Sequence, residues 1–341
     1  MALETSYTSR ATGSPGGSSS IAESDGKYWS LGKLRKAFTH YTHTKREELD
    51  EQKTARQYYH GSQYTKEQVD RIRARRQPLM TYNRVARKIN AVVGQLEKLR
   101  QDPKAYARTP QHEEGADLAT AVLRFVLDEN DWQAQSSDAS FTGAVDGIGG
   151  VELDLKQGDK GDPDIRMNVV DIDAFFYDPR SKMADFSDAM YMGTSRMMDE
   201  DLAREIAGDV ELLVEGDDEL SKDTDWEHRW FHFDGEKSRV RIVELWYRHK
   251  GKWCWSLFTG AQILNEGKSP FVDEDGKPCS KYFMFSAAVD QDGDRYGFVR
   301  NLKSPQDGIN ARQSKMQHIL GSNKLIISQG SVQDVETVRR E

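Results

Sequence analysis

QPLMTYNRVARKINAVVGQLEKLRQDPKAYARTP, residues 77–110, is the stretch that decides how this chain is read. Pro78 sets an extended entry, and Thr81 or Asn83 is placed to cap a helix. Apolar residues then recur at Val85, Ile89, Val92, Val93, Leu96 and Leu99. These spacings put them on one helical face. Arg84, Arg87, Lys88 and Lys98 share the adjoining face, and Asp102-Pro103 stops the helix. From Arg71 to Arg108 there are 11 Lys or Arg against two acids, Glu97 and Asp102. The plain reading of such a stripe is a solvated face, or arginines meeting acidic neighbours. Its concentration in an acidic chain also marks it as a contact surface.

The remaining 300 or so residues are acidic enough to leave a formal net charge of −8 over 341 residues. With 30% charged residues, 37% hydrophobic residues and a mean hydropathy of −0.78, the chain suits a protein with much exposed or intersubunit surface. It does not read as a membrane protein: no run of 18 apolar residues occurs, and Met1 to Ser30 lacks an apolar signal core. Two cysteines, Cys254 and Cys279, fit a reducing compartment. An acidic total argues against a DNA-coating protein, which would normally be basic.

The length allows two domains or one elongated one. Residues 1–27, rich in Ser, Gly and Thr, predict a disordered arm. Ser30 is placed to cap a helix running through the charged run 45–53 to about Tyr59, and Thr65 to Gln68 is a capping box for a short basic helix. His40 and His43 have ligand spacing but no third partner. A second amphipathic helix follows, with Ala116, Ala119, Val122, Leu123, Val126 and Leu127 on its expected buried side, and a third begins at Trp132. Gly147-Ile-Gly-Gly150 reads as turn glycines before a strand at 151–155, because no strand precedes it and no Gly-Lys-Ser/Thr occurs. Further extended pieces are expected at 165–177 and 190–194, with a short helix at 199–206 and an acidic surface loop at 215–219.

Val240 to Tyr247 and Trp253 to Phe258 are aromatic, β-branched runs joined by Arg248-His-Lys-Gly-Lys252, which predicts a hairpin. Strands at 261–264 and 281–285 complete a β-rich module over 225–295. Its aromatic residues interleaved with Arg and Lys are better explained by one packed sheet face than by a single-strand nucleic-acid platform. Tyr296 to Lys303 then leads into a helix over about 305–320, more polar than a core helix and ending at Gly321.

Three ordered stretches carry a family resemblance. Thr81-Tyr-Asn-Arg84 through Gly94-Gln-Leu-Glu97 to Asp102-Pro103, Tyr177-Asp-Pro179 with Asp185-Phe-Ser-Asp-Ala189, and Gly297-Phe-Val-Arg300 with Leu302, Gln306, Asn310 and Ser314 together resemble phage portal proteins, the short-tailed-phage kind in particular. The resemblance covers roughly 55–335. It implies an α+β portal-like subunit with a helical wing (28–224), a mixed sheet, a β-rich clip-like module (225–295) and a stem helix (296–341). Portals are usually longer, so the chain is expected to be truncated at its C-terminus. The resemblance further implies a homo-oligomeric ring, usually of twelve copies, at one capsid vertex of the virion. Double-stranded DNA in its channel, the terminase large subunit, capsid or scaffolding protein, and a tail or head-completion adaptor are the implied partners. Assembly would take place in the host cytoplasm. No cofactor, metal, catalytic residue or membrane contact is implied. Lys303, Arg312 and Lys315 are the channel-facing candidates; Arg84, Arg87 and Lys88 are candidates for subunit or DNA contact.

Two other readings stand beside this one. A metal-dependent DNA-processing enzyme would use Asp171, Asp173 and Asp178, which lie close enough in sequence to converge on Mg²⁺. A non-portal structural adaptor of the virion would form a ring without the packaging ATPase. Asp290, Asp292 and Asp294 imitate the start of a calcium loop, but Arg295 stands where Gly is needed and Asn301 where Glu is needed. No Gly-x-Ser-x-Gly, His-Glu-x-x-His or Cys-x-x-Cys occurs.

Overall fold

The computed structural model describes residues 28–157, 163–207, 230–233, 238–273 and 276–321. The expected arm at 1–27, the acidic run 215–219 and the chain after 321 lie outside the described residues. Two compact units are present: Met1–Arg56 with Ile89–Arg300, and Gln57–Lys88 with Asn301–Glu341.

The first unit begins with α1 (Leu31–Thr44) and α2 (Arg46–His60), whose last four residues belong to the second. One continuous helix was expected here; the chain breaks it at Lys45, whose side chain is drawn into the interior. Ser30 occupies the N-cap position without a side-chain bond. Leu34, Ala37, Phe38 and Tyr41, at helical spacing, join the buried cluster, where Phe38 meets Phe176 and Tyr41 meets Tyr177, while Trp29 stacks on Tyr247 at 4.4 Å between ring centroids. This aromatic cluster is the centre of the core, and burial of such large rings is its main source of stability.

The β structure is antiparallel in every described pair, where a mixed sheet was expected. β1 (Ile148–Gln157) lies between β2 (Pro163–Val169) and β9 (Tyr282–Ser286). The other sheet runs β3 (Phe175–Tyr177), β4 (Tyr191–Asp199), β6 (Ser238–His249), β7 (Lys252–Phe258) and β8 (Ile263–Lys268), with β5 (Phe231–Phe233) also on β6. Short hairpin connections account for the β5–β6, β6–β7 and β7–β8 pairs, because parallel pairing needs a long crossover, whereas β4–β6 and β1–β9 pair antiparallel across long stretches of chain. The β6–β7 hairpin turns at Lys250 and Gly251, both at positive φ (50° and 76°), the requirement of a type I′ turn. Pairing crosses residue 225: β4 joins β6, and β9 joins β1.

Helices α5 (Glu113–Glu129) and α6 (Trp132–Asp146) follow α4 (Val85–Leu99) in the chain, and α6 packs on β1 and β2. Gly147 ends α6 at φ 90°, and a Cβ there would come within 2.3 Å of the Tyr296 backbone. Gly149 and Gly150 are not turn residues: they belong to β1, opposite Phe285 and Met284, where the Ala139 and Phe283 carbonyls leave no room for a side chain. The expected buried side of α5 is also corrected. Thr120 is buried, whereas Val122 and Leu123 are exposed and Ala119 faces solvent. The short helix α7 (Glu200–Ala207) lies where a helix was expected.

Behind the aromatic core sits a buried ionic network. Arg295, with no exposed surface, donates its amide to Glu48 Oε2 (2.9 Å) and its guanidinium to Ser286 Oγ (2.8 Å), Ser181 Oγ (2.8 Å) and the Met183 carbonyl (3.1 Å). It stacks over Tyr177 and Phe186. Tyr177 donates to Glu48 (2.7 Å), and Lys45 Nζ reaches Asp294 (2.6 Å) and the Gly293 carbonyl (2.7 Å). Burial pushes the Glu48 carboxyl up, against the pull of its donors. Asp188, nearer the surface, is held below the usual carboxylate value: burial works to raise it, but the Ser181 hydroxyl and the Lys182 and Met183 amides outweigh burial.

Replacing Arg295 by Met strands several buried acceptors, so Arg295→Met lowers unfolding stability in urea by ~3 kcal/mol or more, whereas exposed Arg180→Ala stays within ~1 kcal/mol. The lowered Asp188 value contributes stability above pH 3.8 that is lost as pH falls through the folded value. The Tm advantage of the wild type over Asp188→Asn therefore shrinks below pH 3.8 in a thermal-melt series.

Candidate functional site

The second unit is built on α3 (Lys66–Ala74), an extended segment over 80–84 and α8 (Val299–Gly321), whose first two residues belong to the first unit. The helix starts earlier than expected, at Val299, and keeps Pro305 inside it, where the missing N–H leaves the Asn301 carbonyl without its usual partner. The capping box of α3 is formed as read: Thr65 Oγ1 accepts from the Gln68 amide, and Gln68 Oε1 accepts from the Thr65 amide.

Gln306, Asn310 and Ser314 lie on one face of α8, spaced by four. Gln306 Oε1 accepts the Arg84 amide (2.9 Å) and its Nε2 donates to the Tyr82 carbonyl (2.9 Å). Asn310 Oδ1 accepts the Tyr82 amide (2.9 Å), and Ser314 Oγ accepts the Met80 amide (3.0 Å). The helix face thus supplies side-chain partners in the alternating pattern with which a neighbouring strand would satisfy 80–84. Asn310 Nδ2 in turn donates to Gln63 (2.6 Å), and Gln63 to Asn83 (3.2 Å) and the Tyr58 carbonyl (2.9 Å). Asn83 caps α4 through the Ala86 amide (3.2 Å). Gln306 and Asn310 are almost wholly buried, which is why α8 is more polar than an ordinary core helix. Tyr58 donates to Asp307 (2.8 Å); burial first, then that carboxylate, pushes the Tyr58 hydroxyl up to about 12.

All six candidate cations fall in this unit. Arg84 is exposed, with its guanidinium 4.3 Å from the Tyr82 ring centre and bonded to the Tyr82 hydroxyl (2.8 Å). Arg87 and Lys88 are exposed, while Val85 and Ile89, at the start of the apolar stripe, are buried. The stripe surfaces further on: Leu96 and Leu99 are exposed. On α8, at about 100° per residue, Lys303 shares the side of Gln306 and Asn310 and is half-buried. Arg312 and Lys315 lie on the opposite side and are exposed. The structure therefore gathers Arg312 with Lys315 and separates Lys303 from both. Asn83, a cap candidate in the sequence, does cap α4 and also joins the ladder; Gln63 was not singled out by the sequence, and a four-residue spacing of amides in a polar helix is the signal that could have pointed to a bonded partner for it.

The carboxylates of the enzyme reading do not converge. Asp173 pairs with Arg56, which also holds Asp146 at 2.8 Å. Asp178 is buried and accepts from Arg180 (3.1 Å), and Asp171 accepts the Asp173 amide (3.1 Å) within a turn. Asp290 binds Arg300 (2.9 Å), and Asp294 binds Lys45. Among the described residues, no group of three His, Cys, Asp or Glu could hold a metal ion.

An α+β subunit with this ordered set of segments belongs to the class of phage portal proteins, as the sequence resemblance implied. Within that class the chain belongs to the Phage P22-like portal protein family, whose profile matches residues 35–252 and 248–341. It is 22% identical over 296 residues to a portal protein of Helicobacter pylori bacteriophage KHP30; the match covers 82% of this chain and 44% of that relative. The chain thus spans less than half the length of the relative.

Deleting one rung of the ladder should act locally. In Gln306→Ala the Arg84 amide loses its acceptor, so its hydrogen-exchange protection falls by ~5- to 100-fold, the equivalent of ~1–3 kcal/mol. The Met80 amide, on Ser314, keeps more of its protection.

Proposed function

We propose that this chain is a subunit of a ring-shaped portal at one capsid vertex, through which double-stranded DNA is packaged, retained and later released. The match of the Phage P22-like portal family over nearly the whole chain carries this reading. In the proposed assembly, twelve copies form the ring, the terminase large subunit docks on it during packaging, and capsid or scaffolding protein and a tail adaptor hold it in the virion. Assembly takes place in the host cytoplasm. The β-rich part centred on β6–β8 serves as the clip-like module, continuous with the wing-like region through β4, and α8 serves as the stem.

The mechanism is steric and electrostatic. Each cation that neutralises a DNA phosphate adds affinity that salt weakens, so a channel for sliding DNA needs few of them. An acidic chain with Arg312 and Lys315 exposed on one side of α8 fits that need. Lys303, half-buried on the other side, contacts DNA only from the margin of that surface. The family is structural, and Asp173 and Asp178 are engaged by Arg56 and Arg180.

Negative-stain electron microscopy of the full-length protein is the test, with annular particles enclosing a DNA-wide hole as the expected result. A uniform monomer that cuts DNA with Mg²⁺, and stops doing so as Asp173→Ala, would replace the reading with the enzyme one. A ring that fails to bind the terminase large subunit would favour a virion adaptor. DNA crosslinks to Lys315 that fade with salt are expected; crosslinks confined to the outer surface would remove α8 from the channel.

A further inference from the structure

Helix α5 has two apolar faces. Thr120, Ala116, Val126 and Leu127 point inward, buried or half-buried. Leu118, Val122 and Phe125, at i, i+4 and i+7, form a second stripe on the solvent side, with Leu118 67%, Val122 53% and Phe125 66% exposed. Glu114, Asp117, Asp128 and Glu129 are exposed around it, with Arg124 the one exposed cation on the helix. An apolar stripe of this kind costs solubility unless something covers it. Elsewhere on the same chain, Leu79, Met80 and Tyr82 are exposed in the extended segment, bordered by Arg84, Arg87 and Lys88. One patch is apolar with an acidic rim; the other is apolar with a basic rim.

We propose that the outer stripe of α5 in one copy receives the 79–88 stretch of a second copy. The inference rests on the ring reading above and names the surfaces that would close it. Charge complementarity selects the occupant: α5 against α5 would oppose acid to acid, whereas 79–88 brings Arg84, Arg87 and Lys88 to the net-acidic rim. The contact joins two different patches, so it is heterologous, and each copy offers both halves. A contact of this kind repeats until rotation closes it. Tyr82 with Arg84 stacked on it supplies an aromatic–guanidinium anchor, and Phe125 with Leu118 a surface for it to cover.

The test is a charge swap in the full-length protein, read by native mass spectrometry and electron microscopy. Glu114→Lys with Asp117→Lys and Asp128→Lys is one set; Arg84→Glu with Arg87→Glu and Lys88→Glu is the other. Each set alone should reduce the ring population at least tenfold, and a chain carrying both should recover at least half of it. Wild-type rings joined by rings of either single set would overturn the inference while leaving the portal reading intact, as would a double set no better than the singles. To guard against misfolding, Phe125→Cys is combined with Tyr82→Cys, and oxidation should give a ladder of covalently linked copies; rings without that ladder overturn the inference. A wild-type chain that remains monomeric overturns the ring reading and this inference with it.

Discussion

The bond on which the first unit depends joins Glu48 to Arg295 across 247 residues of chain. The bond runs from the Arg295 backbone amide to the Glu48 carboxyl; the buried guanidinium is itself costly to take out of water, and its nitrogens find acceptors in Ser181, Met183 and Ser286. Lys45 and Tyr177 complete the set. Because Glu48 lies in α2, Tyr177 in β3, and Arg295 just ahead of α8, the network fixes the helical start of the chain to the sheet. It also fixes it to the segment leading into the last described helix. The aromatic core supplies the burial energy; the network selects which elements meet.

Polar bonding organises the second unit as well, by a different device. A β-sheet satisfies an extended segment with backbone groups of a neighbour; here α8 does it with amide and hydroxyl side chains at a four-residue spacing. The arrangement leaves Arg84, Arg87 and Lys88 exposed next to a backbone that is held at alternate residues. Cations presented from a braced segment lose less side-chain and backbone entropy on making a contact than cations on a free loop would. On α8 itself, the same ladder sets which side is packed, and so leaves Arg312 and Lys315 outward.

Lys281 shows the same logic between the two sheets. Its ammonium is buried yet bonded to Glu152 in β1 (3.1 Å) and Glu244 in β6 (2.9 Å), and these acids, with the neighbouring Tyr282, hold its proton more firmly than burial loosens it. In a protein this polar, buried charges placed at junctions do part of the work that a larger apolar core would do elsewhere.

Local pattern determined much of this protein. The helix over 85–99, the Thr65–Gln68 capping box, the 238–258 hairpin with its Lys-Gly turn, and the strands near 151, 165 and 191 follow from period, capping and turn chemistry, which act within a few residues. The ordered segments were also enough to give the family. Tertiary structure alone decided what depends on partners distant in the chain. Lys45 and Glu48 sit in a charged run of the sequence, yet are buried because Arg295, Asp294 and Tyr177 meet them there. The polarity of the helix carrying Gln306 and Asn310 finds its reason only when the 80–84 backbone is placed against them. Helix α5 carries apolar residues around most of its circumference, so periodicity could not say which stripe the fold would bury; packing on one side chose it and left Leu118 and Phe125 outside. Periodicity reports that a face is apolar, and only the assembled neighbours report which face is covered.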